Sequence, residues 1–465
     1  MSPSSSPQPP SATSNSDGAG RPDPLRPSEG QSRNRAVWAL LALGVLIFFF
    51  VVPHNVEGDG RLRFDAVQSL LGGHGIPDTK YPLIGSLFSI PLILLGHLVG
   101  SPEWWAARYN VAVYGAGIGL LYALLRGRIA GDLLGAFLLL LGTTAMIPNS
   151  LTGFGAETFS TVAVGTGLVA WSVGRWKTAT LLLSLGVANL PASIIGLAFA
   201  VGWWAWREKR LRALAPLVLA AALWMLESML RRGSPFATGY GGDHGFQTLL
   251  PYSGLSGFSY PTFFGVLSLL VSFGKGLLFF APGLFMVFGR GLEALRSVRE
   301  VVVLWILCLA GMVLDYATWW AWYGGFTWGP RFLIFASLPA SLLLAAHVRR
   351  PPQRLLAQTV VLAALVLSVW VGIDGMAFGR FAQDPCSANH YYLESFCWYV
   401  PEFSVLWTPF VFHAHVSWSD SILIVYSIGV STFVSHPLLR DWVLTLLHDA
   451  RLAWAGYRQR SPWRL

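Results

Sequence analysis

Long blocks of apolar residues with almost no charge inside them constrain this chain more than any other feature. They run to about seventeen to twenty residues, which at 1.5 Å per helical residue is the length needed to cross a bilayer core of roughly 30 Å. The first, Ala36 to Val52, is continuous and lacks the strict alternation of a membrane β-barrel strand. A barrel is therefore excluded. Composition excludes a soluble enzyme as well, because 54% of the 465 residues are hydrophobic and 12% are charged, too few to coat a water-soluble globule of this size. The fold class expected is an all-α integral membrane protein with about eleven to thirteen transmembrane helices and an interfacial helix in its first extracytoplasmic loop.

The net charge of +9 does not imply a nucleic-acid partner. Its basic residues fall in short clusters between apolar runs: Arg126/Arg128, Arg175/Lys177, Arg207/Lys209/Arg210/Arg212, Arg349/Arg350/Arg354 and the tail from Arg451. Such clusters mark the cytoplasmic ends of spans. They predict a multi-pass protein of the cell (inner) membrane with its N-terminus in the cytoplasm, residues 36–436 as the membrane domain and 437–465 as a basic cytoplasmic tail. The first 35 residues, rich in Ser, Pro and Gly without an apolar stretch, are expected to be a disordered cytoplasmic tail and not a cleaved signal.

Further apolar runs lie near 82–99, 104–125, 131–148, 157–173, 178–206, 211–230, 262–288, 301–317, 332–347, 355–373 and 419–436. If 82–99 and 104–125 both cross, Arg126-Gly-Arg128 falls on the wrong side, so one of them is re-entrant or interfacial. From Arg128 onward, alternate crossings put every later basic cluster inside except Arg231/Arg232, provided 178–206 is a broken pair of short helices. The same alternation gathers 54–81, 149–157, 233–262, 272–276, 318–331 and 374–418 on the outer face. Cys386 and Cys397 share the last of these segments; in an oxidising compartment they form a disulfide, and two free loop thiols are the alternative.

The chemistry-bearing residues belong to those outer segments. Asp59 opens a stretch in which Leu62, Ala66, Val67, Leu70 and Leu71 fill one side of a helical wheel and Arg61, Asp65, Gln68 and Ser69 the other. A carboxylate there is placed to take a proton from a hydroxyl or to hold a cation; alternatively it caps the helix and pairs with Arg63. Glu157, at the outer start of an apolar helix, is a second carboxylate, also explicable by the helix dipole. The two are the residues that would hold a divalent cation, Mg or Mn, were one used.

Lysine occurs four times, and Lys80 and Lys275 fall in outer turns where topology does not need them. A lipid phosphate is the natural partner, with interfacial snorkelling as the plainer account. Arg331, at the outer mouth of a span after Trp319-Trp-Ala-Trp-Tyr-Gly-Gly-Phe-Thr-Trp-Gly-Pro, also works against the positive-inside rule and suits phosphate bidentately. Tyr240 and His244 bound a polar outer loop, where His244 is either a proton carrier or metal ligand or an ordinary loop histidine.

In this order the pieces resemble the GT-C membrane glycosyltransferases, the superfamily of protein O-mannosyltransferases and aminoarabinose transferases. The resemblance covers roughly residues 36 to 350. It rests on Asp59 with Phe64-Asp-Ala-Val-Gln-Ser-Leu-Leu, Lys80-Tyr-Pro-Leu, Glu103-Trp-Trp-Ala-Ala-Arg108, Glu157, Ser234-Pro-Phe-Ala-Thr-Gly-Tyr240, Ser272-Phe-Gly-Lys-Gly-Leu-Leu-Phe-Phe-Ala-Pro282 and Trp322-Tyr-Gly-Gly-Phe-Thr-Trp-Gly-Pro-Arg331. The resemblance implies an inverting transfer of a hexose or pentose from a polyprenyl-phosphate donor to a glycan, lipid or protein acceptor at the extracytoplasmic face. By the same resemblance Asp59 is the catalytic carboxylate and Lys80 and Arg331 are lipid-phosphate ligands; Lys275 joins them from its own place in an outer turn. Two departures stand out: the common Asp-Glu pair is Asp59-Gly60 here, and the frequent double proline after the lysine is Tyr81-Pro82. They leave metal use and acceptor geometry open. The alternative reading is a multi-pass transporter or lipid-linked-sugar flippase, which needs polar residues near the bilayer midplane; Glu227 and Asp315 are its candidates, and both fall near helix ends.

Overall fold

The computed structural model describes residues 29–325, 327–379, 384–387, 389–411 and 415–460. Among these residues there are helices and turns, with isolated bridges such as Asn55 to Gly153 but no strand. The protein is an all-α membrane protein. Among the described residues, six helical stretches are long and apolar enough to cross a membrane: Asn34–Val51, Leu211–Arg232, Arg296–Thr318, Arg331–Arg349, Leu355–Ala377 and Trp418–Trp454. Shorter helices run between the same two ends, including Tyr109–Leu125, Glu157–Ser172, Trp176–Asn189 and Ile194–Glu208. The Gly131–Thr143 helix is apolar on every side and buried all round, so it forms the centre of the bundle.

Prolines and glycines decide where the apolar runs break. The 82–99 run splits at Phe88-Ser89 into Ile84–Leu87 and Ile90–Val99, and Gly100 and Pro102 then start the short Pro102–Ala107 helix. All three pieces stay at the outer end. His97 meets Gln68 at 3.2 Å, Glu103 pairs with Arg61 at 3.0 Å, and Arg108 donates to the Phe49 carbonyl at the top of the first span at 2.8 Å. A ten-residue helix covers only about 15 Å, half of a bilayer core. So 82–99 does not cross, Tyr109–Leu125 descends alone, and Arg126 and Arg128 arrive at the inner end as the basic rule requires.

Run 178–206 is the expected broken pair, interrupted at Leu190 and the 3-10 turn Pro191–Ser193. Small residues permit close crossings here: a Cβ at Gly196 would stand 2.5 Å from the Cys308 carbonyl oxygen. Within 262–288 the Thr262–Val271 helix stays high, with the Tyr260 amide on the Thr318 carbonyl at 3.0 Å. The chain then descends beside Ser337–Arg349 until Phe288 meets His347 at 2.7 Å.

At the inner end Arg349 pairs with Asp132 at 3.2 Å and Arg207 with Glu300 at 2.6 Å, joining basic clusters that are far apart in sequence. Arg231 and Arg232 lie at the other end, and the structure shows why. Arg231 donates to the Tyr81 carbonyl at 2.8 Å and to Glu227 at 2.7 Å, while Arg232 pairs with Asp78 at 3.0 Å. They staple the 77–81 loop. The last helix, Trp418–Arg460, continues through Pro437, where the tail was expected to begin, and Trp442 there bonds Thr359 at 2.9 Å. Of the expected tails, residues 1–28 and 461–465 lie outside the described residues.

The interfacial helix is Gly58–Leu71, and its buried stripe differs from the expected one. Gly60, Arg63, Phe64, Ala66 and Val67 face inward, whereas Leu62 and Leu71 are exposed. Arg63 turns the helix: its guanidinium bonds the Pro82 carbonyl and stacks 4.8 Å from the Tyr81 ring centre, so an ion is buried where the wheel placed only apolar groups.

Candidate active site

Three outer segments converge on one arginine. Arg331 Nη2 lies 2.9 Å from Asp59 Oδ2, and Arg331 Nε lies 3.8 Å from Glu157 Oε1. Asp59 also accepts from the Tyr81 hydroxyl at 2.6 Å. The Asp59 and Arg331 side chains are 30% and 26% exposed, so the pair is open to a ligand, while Glu157 at 16% sits deeper.

Each partner is positioned by a local device. Asp59 occupies the first turn of Gly58–Leu71, entered through Gly58 at φ +52°. Gly60 lies against the 149–157 loop, where a Cβ would stand 2.9 Å from the Phe154 carbonyl oxygen. This accounts for the departure at Asp59-Gly60: a side chain at 60 would push the helix away from Glu157.

The loop before Glu157 is pinned by two buried asparagines inside apolar runs. Asn110 Nδ2 donates to the carbonyls of Ser150, Gly153 and Gly155 at 2.8 to 3.2 Å. Asn189 donates to the Ala156 carbonyl at 3.1 Å and accepts from the Gly85 amide at 2.8 Å. Sequence reading passed over both, although a single amide in an apolar run is costly unless bonded and so signals a fixed partner.

Electrostatics keep Asp59 ionised. Burial pushes its carboxyl up, but the Arg331 guanidinium, the Tyr81 hydroxyl and Arg63 together outweigh burial and hold it below the usual carboxylate range. Burial and the bond to Asp59 push the Tyr81 phenol up, so it stays a donor.

Lys80 reaches Asp243 at 2.6 Å and lies 5.6 and 5.7 Å from the ring centres of Tyr81 and Tyr240. Tyr240 packs edge-on against Tyr81 and Trp319. Asp243, passed over in favour of its neighbour, is therefore the acidic member that the 233–261 loop contributes. His244 is exposed and contacts its own backbone neighbour Gly245. Asp65 likewise stays apart, paired on the surface with Arg61 at 3.0 Å.

Lys275 is close but faces the other way. It is 4% exposed and donates to the carbonyls of Thr327 at 2.7 Å and Gly329 at 2.9 Å, inside the loop that ends at Arg331. It is a buried support of that loop, not an open cation, because its donors are taken by carbonyls.

The Arg331 guanidinium already bridges the two carboxylates, and among the described residues no cluster of three His, Cys, Asp or Glu side chains that could hold a metal forms. Cys386 and Cys397 form a disulfide.

No family model matches the chain, and no curated protein matches it. Among solved structures it is similar to ArnT from Cupriavidus metallidurans, crystallised with undecaprenyl phosphate. The match has 14% identity and a TM-score of 0.49 over 92% of this chain and 81% of that one. No residue role is carried across it.

Proposed function

We propose that the protein is a glycosyltransferase moving a sugar from a polyprenyl-phosphate donor to an acceptor at the extracytoplasmic face of the cell membrane. The observation that carries this reading is the Asp59–Arg331–Glu157 cluster, assembled from three separate segments and partly open to solvent. The resemblance of the quoted motifs supplies the donor class. For the transporter reading, Glu227 Oε1 accepts from Arg231 and the Leu83 amide, which ties that side chain to the 77–83 segment.

In the proposed single displacement the acceptor oxygen forms a bond to the anomeric carbon as the bond to the phosphate oxygen breaks. The acceptor proton passes to Asp59, and polyprenyl phosphate leaves with the electron pair. Such a step inverts the anomeric centre. A carboxylate held low by an arginine is a weak base, and this links base strength to donor binding. When Arg331 turns to the lipid phosphate, its pull on Asp59 falls and the carboxylate gains basicity. Lys80 makes the second contact to the phosphate by exchanging Asp243 for it, and Glu157 orients the acceptor.

The test is binding of undecaprenyl phosphate and its hexose esters to the protein in nanodiscs, with Lys80→Ala and Arg331→Ala alongside. Binding that is lost in both variants supports the reading. Absence of binding by the wild type to any carrier lipid overturns it.

A further inference from the structure

Two loops of the candidate site share one seat, the end of the Leu355–Ala377 helix that carries Asp374 and Gly375. Trp328, three residues before Arg331, donates its indole N–H to Asp374 Oδ2 at 2.7 Å. Asn149, eight residues before Glu157, donates its side-chain amide to the carbonyl of Gly375. The two side chains come together over that glycine, where a Cβ would stand 2.8 Å from Trp328 Cη2 and 2.9 Å from Asn149 Cβ. Short bonds carry each anchor on to the site. The Arg331 amide donates to the Gly329 carbonyl at 3.1 Å, and Thr158, beside Glu157, donates to the Ser150 carbonyl at 3.0 Å.

Asp374 is the costly member of this seat. It is fully buried in an apolar span, and its Oδ1 has no hydrogen-bond partner among the described residues. A polar group in that place destabilises the helix bundle unless another group needs it. Trp328, 4% exposed, has that need, because a buried indole N–H requires an acceptor. Lys275 joins carbonyls of the Arg331 loop to one another and so sets the loop's shape. The bond to Asp374 sets where the loop lies relative to Asn149. We infer that Asp374 is a positioning residue: by accepting from Trp328 it holds the Arg331 loop on the helix end that also holds the Glu157 loop, and so fixes Arg331 against Glu157. The bond needs an acceptor oxygen and not a charge, so it forms whether or not the carboxyl is ionised. This deepens the reading of the site and rests on it for what Arg331 binds.

The experiment measures hydrogen exchange by mass spectrometry and undecaprenyl phosphate binding on the full chain in nanodiscs. Trp328→Phe keeps a ring and removes the donor, and Asp374→Ala removes the acceptor. Each is expected to speed exchange of the 327–331 amides severalfold and to weaken lipid-phosphate binding roughly tenfold, the scale of one buried polar group left unpaired. The double variant should be no weaker than either single one, because both lose the same bond. In an Arg331→Ala background the loss caused by Trp328→Phe should vanish. Asp374→Asn keeps an acceptor oxygen and stays within about threefold of the wild type. Gly375→Ala, whose Cβ meets both side chains, loosens the 149–157 amides as well. The 133–141 amides, in the central helix, identify any variant that has not folded. Unchanged exchange in folded Trp328→Phe overturns the inference, and so does an equal loss of affinity in the Arg331→Ala background. Loosened 327–331 amides in a protein whose wild type binds no carrier lipid instead support the positioning role and overturn only the glycosyltransferase reading.

Discussion

The two ends of the molecule carry arginine–carboxylate clusters of opposite stoichiometry. At the outer end two carboxylates, Asp59 and Glu157, share Arg331; at the inner end two arginines, Arg349 and Arg350, reach Asp132 at 3.2 and 3.8 Å. Exposure differs in the same sense, since Arg331 is 26% exposed and Arg349 only 4%. An arginine shared by two acids at a half-open site can exchange one of them for an incoming phosphate. An arginine packed between helices beside an exposed one ties two helix ends together. On the proposed reading the same residue type serves recognition at one end and anchoring at the other.

Removing the acid from the outer cluster should separate the two ends most sharply. Asp59→Asn is expected to lower transfer by about two to four orders of magnitude, the scale of a lost general base, with membrane insertion intact. A radiolabelled polyprenyl-phosphate-sugar assay beside a folding check measures it, and wild-type turnover would end the base assignment. Arg331→Ala comes next, with lipid-phosphate affinity down by roughly one to two orders of magnitude, readable by native mass spectrometry.

The pH response follows from the direction of the Asp59 shift. Its ionised, arginine-paired form is present above the ordinary carboxylate range and is lost as pH falls through its lowered pKa. Tyr81→Phe removes a bond to the anion, so the acid limb of the pH–rate profile should move to higher pH; a limb that stays put would detach Tyr81 from Asp59. Gly60→Ala tests assembly, because its Cβ meets the Phe154 carbonyl. A stability loss of about 1–3 kcal/mol with reduced transfer is expected, read from thermal unfolding and turnover. The smallest effect belongs to the inner end, where Asp132→Asn should leave lipid-phosphate binding within about twofold, since distant sites act independently. A large loss of binding in that variant would break the division between the ends.

Much of this was legible in the residues, and the failures share a cause. Asp59, Glu157, Lys80 and Arg331 were identifiable because a charge at an outer helix start opposes the positive-inside rule or lacks a topological use. His244 and Asp65 drew notice by residue type, but one is turned to its own backbone and the other to a surface arginine. Asp243, Tyr81, Asn110 and Asn189 were passed over because their importance lies wholly in their partners, which come from segments up to 163 positions away. Lys275 was recognised as unusual, but the direction of its side chain was not readable.

The sequence by itself determined the solvent and the helical class, because hydrocarbon imposes length and apolarity along the chain one segment at a time. Only the tertiary structure decided that 82–99 lies on the surface and does not cross, that Arg331 bridges Asp59 and Glu157, and that Lys275 faces inward. Those outcomes depend on distances between segments remote in sequence, set by glycine contacts, buried amides and a disulfide, which no local pattern specifies.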